Sequence, residues 1–278
     1  MVTVVGLLRD PAFHVAKCTA EALKLKFPSK FADPVIQPLV EFAWHEYLQE
    51  KKKELRGEVW AYASSVMCFI DGQLLGDEKE LLKWSHREWD YRDFKPEALY
   101  QAITEDFYSK YLKNSQASNT HVFVYLEIAI EEQPVGRLLF ELFSDLCPRT
   151  CENFRALCTG GAKSPRDGRE LTYKNSLFHR LVKNGWIQGG DIITGKGDGG
   201  ESIYGPTFEG RERYGLPGVG RKGQKAGSRQ RWIICALSPS RRQLIEGTEV
   251  LQRLEVVPTY NERPTVACKI VNCGTFEP

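Results

Sequence analysis

The first part of the chain alternates between short apolar runs and amphipathic stripes. Residues 2–8 form an apolar run typical of a buried strand. Asp10 followed by Pro11 predicts the start of a helix, because aspartate accepts from free backbone N–H groups and proline is tolerated in the first turn. This helix is predicted to end at Phe27, and apolar positions at helical spacing predict a second helix over 38–56.

The pattern then predicts a hairpin and two more helices. Asp71-Gly72 stands between two apolar runs, and this pair favours the type I′ turn of a hairpin. Asp77 is predicted to cap the N-terminus of the helix that follows the hairpin. The predicted ranges are strands at 66–70 and 73–76, a helix to about Trp89 and a helix over 96–113.

A polar, aperiodic segment at 114–120 predicts an irregular linker between two domains, 1–113 and 121–278. The second domain is predicted to contain an antiparallel strand pair, two helices and a last strand. Their ranges are 122–130 and 136–143 with a turn at Gln133-Pro134, a helix from Pro148, a helix over 244–251 and a strand over 265–272.

Composition is that of an ordinary globular protein. The chain has 278 residues, 42% of them apolar and 27% charged, which suits two domains with apolar cores. Its eight cysteines do not make a disulfide scaffold at this length, so reduced thiols are expected. No apolar run approaches the ~20 residues of a membrane span, and the N-terminus lacks the pattern of a signal peptide. We therefore expect a cytoplasmic protein, with the nucleus as an alternative, that is neither secreted nor held in a membrane.

The formal charge of +2 conceals a segregation of charge along the sequence. Residues 210–242 contain nine basic residues, one acidic residue and six glycines, a net charge of +8 that leaves −6 for the rest. Charge alone would allow RNA or another acidic partner. The segment lacks interleaved aromatic residues and a recognised RNA-binding fold, so nucleic acid is not the partner that we expect.

The front half resembles the glutaredoxin branch of the thioredoxin fold over about residues 2–90. The resemblance rests on the order strand, helix, helix, hairpin, helix and on Phe69-Ile-Asp-Gly-Gln-x-x-Gly76 before a helix. It implies an α+β domain. Redox activity in that family needs a cysteine at the first strand-to-helix turn, which here reads Asp10-Pro11-Ala12-Phe13. We therefore expect a binding domain without redox activity, in which Cys18 and Cys68 are inert.

Six ordered motifs between residues 122 and 209 are similar to those of the cyclophilins. They are Gly136-Arg-Leu-Leu-Phe-Glu-Leu-Phe, Pro148-Arg-Thr-Cys-Glu-Asn-Phe-Arg-Ala-Leu-Cys-Thr-Gly, Tyr173-Lys-Asn-Ser, Phe178-His-Arg-Leu-Val, Ile187-Gln-Gly-Gly-Asp and Gly199-Gly-Glu-Ser-Ile-Tyr-Gly-Pro-Thr-Phe-Glu. The resemblance implies a closed antiparallel β-barrel capped by helices. It also implies peptidylprolyl cis-trans isomerisation of proline-containing peptides or proteins, without metal or other cofactor.

Proline chemistry defines what such a site must hold. Rotation about the X-Pro amide bond has a barrier of about 18–20 kcal/mol, because twisting this bond removes its resonance. A catalyst needs an apolar slot for the ring and a donor for the amide nitrogen. The resemblance assigns the donor to Arg180 and its support to Gln188. Trp186 and Gly197 would line the peptide groove, while Gly185 would open a gap in the pocket wall. His179 is expected to be structural, because side chains alternate along a strand and its side chain points away from that of Arg180.

The motif resemblance stops after Glu209 and returns only near Leu244. In cyclophilins this stretch carries the rest of the proline pocket. Here only Gly227-Ser228 and Trp232-Ile-Ile-Cys235 are similar to the family sequence. A splice or lineage variant and a gene-model error in a shifted frame both explain the segment. For the chain as written we expect a barrel that is incomplete around 210–243, poor order there, and weak or absent turnover. The alternative is a non-catalytic scaffold that binds proline-containing peptides.

Two cysteine pairs have spacings that bear on redox or metal chemistry. The long loop before Tyr173 is similar to that of divergent-loop cyclophilins, in which a loop cysteine pairs with one near the C-terminus. Cys158 and Cys273 hold comparable positions, although reduced thiols are the usual cytosolic state. Cys147 and Cys151 stand four residues apart at a helix start, but no second pair or nearby histidine supports zinc.

Overall fold

The structure of the chain is a computed structural model that describes residues 1–119, 121–183, 186–205, 232–234 and 242–278. The chain divides into two compact units, Met1–Asn114 and Ser115–Pro278, called unit 1 and unit 2 below. Each unit has its own hydrophobic core.

Unit 1 contains one mixed sheet with helices on both faces. Its elements are β1 (Val2–Leu7), α1 (Pro11–Lys26), β2 (Val35–Leu39), α2 (Glu41–Leu55), a short 3₁₀ helix (Gly57–Ala61), β3 (Val66–Ile70), β4 (Gln73–Gly76), α3 (Glu78–Trp89) and most of α4 (Glu97–Asn119), whose residues 115–119 are assigned to unit 2. The sheet order is β2-β1-β3-β4. β1 is parallel to β2 and antiparallel to β3, and β3 is antiparallel to β4.

Three local predictions for unit 1 are confirmed. The Asp10 carboxylate accepts from the Ala12 N–H at 2.9 Å and caps α1. Asp71 and Gly72 have φ of 50° and 84°, as the type I′ turn between β3 and β4 requires. The Asp77 side chain accepts from two free N–H groups in the first turn of α3.

A parallel edge strand precedes α2, where the sequence pattern predicts only a helix. Pro38 lies in β2 opposite Gly6, and α2 starts at Glu41. The predicted helix start at residue 38 is therefore wrong. Proline is tolerated in β2 because this strand is at the sheet edge, and the partly exposed sequence of β2 lacks a strong strand pattern.

The sheet of unit 1 buries side chains on both faces, because successive strand residues point to opposite sides. On one face Val4 belongs to a buried cluster with Phe13 of α1 and Leu81 of α3. On the other face Val5 belongs to a cluster with Trp44 of α2.

α4 is one continuous helix to Asn119. The irregular linker predicted for 114–120 is therefore helical through residue 119. The helix can continue because residues 97–119 contain neither glycine nor proline.

Unit 2 contains β5 (Val122–Ile130), β6 (Gln133–Leu142), α5 (Pro148–Thr159), β7 (Ala162–Lys163), β8 (Glu170–Leu171), β9 (Arg180–Leu181), β10 (Ile187–Gly189), β11 (Trp232–Ile234), β12 (Arg242–Glu246), α6 (Thr248–Glu255), β13 (Thr259–Tyr260), β14 (Arg263–Pro264) and β15 (Cys268–Phe276). The two larger sheets have the orders β12-β6-β5-β15 and β11-β10-β9. The described residues of unit 2 also form two hairpins, β7-β8 and β13-β14.

The expected closed barrel is not found in the described ranges, where neither larger sheet closes on itself. The segment expected to be poorly ordered nevertheless contains β11, whose Ile233 pairs with Gln188 of β10. The predicted similarity at Gly227-Ser228 and Cys235 lies outside the described residues.

Several predicted boundaries in unit 2 are corrected. The β5–β6 turn is formed by Glu131-Glu132, both with positive φ, and not by Gln133-Pro134, which already belong to β6. Residues 244–246 are strand, because they pair with β6 opposite Phe140 and Leu139, and the helix starts only at Thr248. The last strand runs over Cys268–Phe276 instead of 265–272. The helix predicted from Pro148 is confirmed.

Candidate functional site

Arg180 and Gln188 lie directly opposite each other on β9 and β10. The N–H of His179 donates to the Gln188 carbonyl at 3.0 Å and holds the two strands together. Gln188 is only 3% exposed, whereas Arg180 is partly exposed. Strand pairing therefore brings together the two residues that the motifs assign to the donor and its support.

A pocket of about 370 Å³ opens beside this pair. It is bounded by β9 and β10, by the loop 191–199 that follows β10, and by the β13–β14 hairpin. The lining residues are His179, Arg180, Gln188, Lys196, Gly197, Asp198, Asn261 and Arg263. Every described lining residue is polar or glycine, so this pocket differs from the apolar slot that a proline ring requires.

A carboxylate binds the guanidinium of Arg180. Nε and one terminal nitrogen of Arg180 each lie 2.5 Å from Oε2 of Glu262. Glu262 is positioned by the β13–β14 turn, and its carbonyl accepts from the Leu181 N–H at 2.7 Å. The donor that a rotating amide would need is therefore engaged with an acceptor from the chain itself.

Trp186 stands beside Arg180 and does not line the pocket. Its ring centroid is 5.5 Å from Cζ of Arg180, within the range of a cation–π contact. The apolar groove wall predicted from Trp186 is thus not part of this pocket. Gly185, expected to leave a gap in the wall, lies outside the described residues.

Asp191 organises the loop that carries Gly197. Its Oδ1 accepts from the N–H groups of Ile193 and Thr194, and its Oδ2 accepts from those of Gly197 and Gly199 at 2.8 and 3.1 Å. Burial alone would raise the pKa of Asp191, but these N–H groups and the Thr194 hydroxyl outweigh burial and hold the pKa well below its usual range. The carboxylate is therefore charged at neutral pH and fixes the loop.

Gly197 allows this loop to approach His179 closely. Its φ is +87°, and a Cβ there would lie 2.5 Å from Cδ2 and 2.6 Å from Nε2 of His179. His179 thus packs against the loop and also lines the pocket.

Five residues at the site were not predicted from the sequence: Lys196, Asp198, Asn261, Glu262 and Arg263. Lys196 and Asp198 are the chain neighbours of Gly197, a predicted groove residue, so the sequence could have indicated that they lie at the site. Glu262 lies 82 residues after Arg180. A local pattern shows that Glu262 is in a turn, but nothing local shows what that turn contacts.

The cysteine pairs add no second site. No disulfide joins Cys158 and Cys273. The sulfurs of Cys147 and Cys151 are 3.5 Å apart and buried. Within the described ranges, no three His, Cys, Asp or Glu residues are grouped in a way that could hold a metal ion. No described helix has both the length and the apolar character needed to cross a membrane.

Comparison with known proteins accounts for the motifs. Residues 125–236 match the family model of cyclophilin type peptidyl-prolyl cis-trans isomerase/CLD. Over 98% of its length the chain is 53% identical to a Homo sapiens protein and 52% identical to a Bos taurus protein, covering 91% and 92% of them. Both are named probable inactive peptidyl-prolyl cis-trans isomerase-like 6. The chain belongs to the cyclophilin family.

A part of this cyclophilin is also similar to a much larger protein. Over 55% of the chain it is 38% identical to the NK-tumor recognition protein of Mus musculus, of which it covers 12%. The family match continues to residue 236, well beyond Glu209, where the motif resemblance ended. Part of the basic segment therefore retains family similarity that short motifs did not detect.

Proposed function

We propose that this cyclophilin binds proline-containing peptides or proteins at the pocket beside Arg180 and Gln188 and isomerises them weakly or not at all. The contact between Arg180 and Glu262 carries the proposal. A catalytic arginine must donate to the amide nitrogen as the bond rotates. Here Nε of Arg180 already donates to Glu262, and a terminal nitrogen of the same guanidinium lies 2.5 Å from the same carboxylate oxygen. The word "inactive" in the names of the relatives supports the same conclusion.

Two effects combine to lower turnover. An exposed ion pair is worth about 0–1 kcal/mol, which at its upper end reduces the fraction of unpaired Arg180 about fivefold. The second effect is the polar lining that the described residues give the pocket, since a proline ring placed against them loses the dispersion contacts of an apolar slot. The transition state is therefore stabilised less than in a site with a released arginine and apolar walls.

Binding can persist when turnover is lost. Hydrogen bonds to a peptide backbone that act equally on the ground state and the transition state contribute affinity but no rate. We assign such contacts to Gln188, which is buried and lines the pocket, and to the guanidinium of Arg180, which also lines it. If turnover is lost completely and peptide binding is kept, the protein is a non-catalytic scaffold.

A protease-coupled assay on a proline-containing tetrapeptide tests turnover. We expect the full chain to accelerate isomerisation at most about twofold over the uncatalysed rate, and Arg180→Ala to behave like the wild type. Strong catalysis that disappears in Arg180→Ala would refute the weak-enzyme proposal.

Fluorescence anisotropy with a labelled proline peptide tests binding. We expect Gln188→Ala to weaken the affinity about tenfold, because a buried peptide contact is lost. Gln252→Ala is the control, since Gln252 is exposed on α6. Absence of binding by the wild type would reject the binding function.

We further propose that unit 1 is a thioredoxin-like domain without redox activity. The strand order β2-β1-β3-β4 and the Asp10-Pro11 turn support this. Burial raises the pKa of the Cys18 and Cys68 thiols, so neither is an activated thiolate at neutral pH. A thiol reagent at pH 7 should label neither residue faster than it labels glutathione, and a rapidly labelled cysteine in unit 1 would contradict the assignment.

We also propose that the two larger sheets of unit 2 are parts of one cyclophilin barrel that is incomplete around 210–243, in a cytoplasmic or nuclear protein. The family match over residues 125–236 supports the barrel. Sequencing the transcript across codons 209–244 tests whether this segment is genuine. Cell fractionation tests the compartment.

A further inference from the structure

The described residues give the polar pocket an excess of positive charge. Lys196 comes from the loop after β10 and Arg263 from β14, and both side chains are exposed and line the pocket. Neither forms an ion pair within the part of the chain that the structure describes. Arg180 is paired with Glu262, and the Asp198 carboxylate, which also lines the pocket, interacts electrostatically with Lys196. The described lining residues therefore leave a net positive charge of one in the pocket.

The two cations are positioned by rigid elements. Lys196 belongs to the loop that four N–H groups fix to Asp191, and it directly precedes Gly197, which packs against His179. Arg263 follows Glu262, whose backbone carbonyl accepts a hydrogen bond from the Leu181 N–H of β9. Two separate segments therefore direct positive charge into one concave space, where an excess of positive charge raises the local concentration of an anionic group.

We propose that this pocket binds an anionic side chain, a carboxylate or a phosphate, next to the proline of a peptide. The inference rests on the proposed function, because Arg180 and Gln188 hold the peptide backbone while Lys196 and Arg263 face its neighbouring side chain. The volume of about 370 Å³ is at the small end of ligand pockets and suits a side chain, not a whole folded partner. Guanidinium and ammonium groups are the usual partners of both anions.

The test compares labelled peptides that differ only before proline, with Glu-Pro against Gln-Pro and phosphoserine-Pro against Ser-Pro, on the full chain at low salt. We expect at least one anionic peptide to bind about five- to tenfold more tightly than its neutral match, with the difference decreasing in 0.5 M salt. The two arms distinguish carboxylate from phosphate.

Matched variants assign the preference to the pocket. In the double variant Lys196→Gln with Arg263→Gln we expect the anionic peptide to bind no better than the neutral one. Lys163→Gln removes an exposed positive charge of unit 2 that does not line the pocket, and it should keep the preference. All three residues are exposed, so the variants should retain the wild-type unfolding temperature.

The outcomes separate the two proposals. Equal affinity for anionic and neutral peptides overturns the charge preference and leaves the peptide-binding function intact. A preference that persists in the double variant, or that is lost equally in Lys163→Gln, also overturns it. If no peptide of either kind binds, the peptide-binding function itself fails.

Discussion

Glu262 engages Arg180 from a hairpin 82 residues further along the chain, with two guanidinium nitrogens 2.5 Å from one carboxylate oxygen. Both side chains are more than a third exposed. The pair is therefore open to exchange with solvent and with a ligand, and a single substitution can release the arginine without leaving a buried charge.

Releasing Arg180 should raise isomerase activity. In Glu262→Gln the acceptor loses its charge, and we expect kcat/KM in the protease-coupled assay to rise up to about fivefold, the equivalent of about 1 kcal/mol. Glu132→Gln is a matched control, because Glu132 occupies the same turn position in the β5–β6 hairpin, with φ of 65° against 63° for Glu262. Unchanged activity in Glu262→Gln would show that Glu262 does not limit Arg180.

Adding a side chain at Gly197 should destabilise unit 2 and disturb the pocket. We expect Gly197→Ala to lower the free energy of unfolding by about 2–4 kcal/mol, since the positive φ and the clash with His179 add. Gly195→Ala separates the two effects: Gly195 also has a positive φ, +69°, but its Cβ would be an ordinary 3.5 Å from Leu177. Urea unfolding should show a loss of only about 1 kcal/mol for Gly195→Ala, and equal losses would contradict the clash.

Removing the charge of Asp191 should loosen the pocket loop. We expect Asp191→Asn to lower the free energy of unfolding by about 1–3 kcal/mol, because a buried carboxylate that accepts several N–H bonds is replaced by an amide. Its pKa is lowered in the folded state, so its contribution is present at neutral pH and is lost as pH falls below about 3.8, the unfolded value. Glu277→Gln, an exposed carboxyl near the C-terminus, should have no measurable effect in the same urea titration.

Acidification should destabilise unit 1 through His14. Its ring is fully buried and Nε2 donates to the Leu8 carbonyl at 2.8 Å. Burial, supported by Lys17, lowers the pKa of His14, whereas the Leu8 carbonyl and the carboxylates of Asp10 and Glu21 oppose the shift. The unfolded chain therefore binds a proton below pH 6.5 that the folded chain does not, and stability is lost as pH falls.

Thermal unfolding at pH 7.5, 6.5 and 5.5 measures this effect. We expect the stability to fall by up to about 1.4 kcal/mol per pH unit below 6.5 in the wild type, and less in His14→Leu. His45→Gln, at an exposed position, should retain the wild-type slope. The same slope in His14→Leu would assign the acid sensitivity to another group.

Sequence patterns predicted elements correctly where the partners are close in the chain. The Asp10 cap and the Asp71-Gly72 turn use backbone groups within a few residues, so their physics is local. Predictions failed where a distant partner decided the outcome. Pro38 looked like a helix start but lies in a strand because β1 is beside it, and Leu244 is strand because β6 pairs with it.

By itself the sequence determined the family, the helix caps and the hairpin turn of unit 1, and it singled out Arg180 and Gln188 as site residues, because motifs and caps depend on residues near one another. Only the tertiary structure decided that Glu262 engages Arg180, that Gly197 must be small against His179, and that Lys196 and Arg263 face one polar pocket. These contacts join segments many residues apart. Their energies depend on how the strands and hairpins pack, and no local pattern encodes that packing.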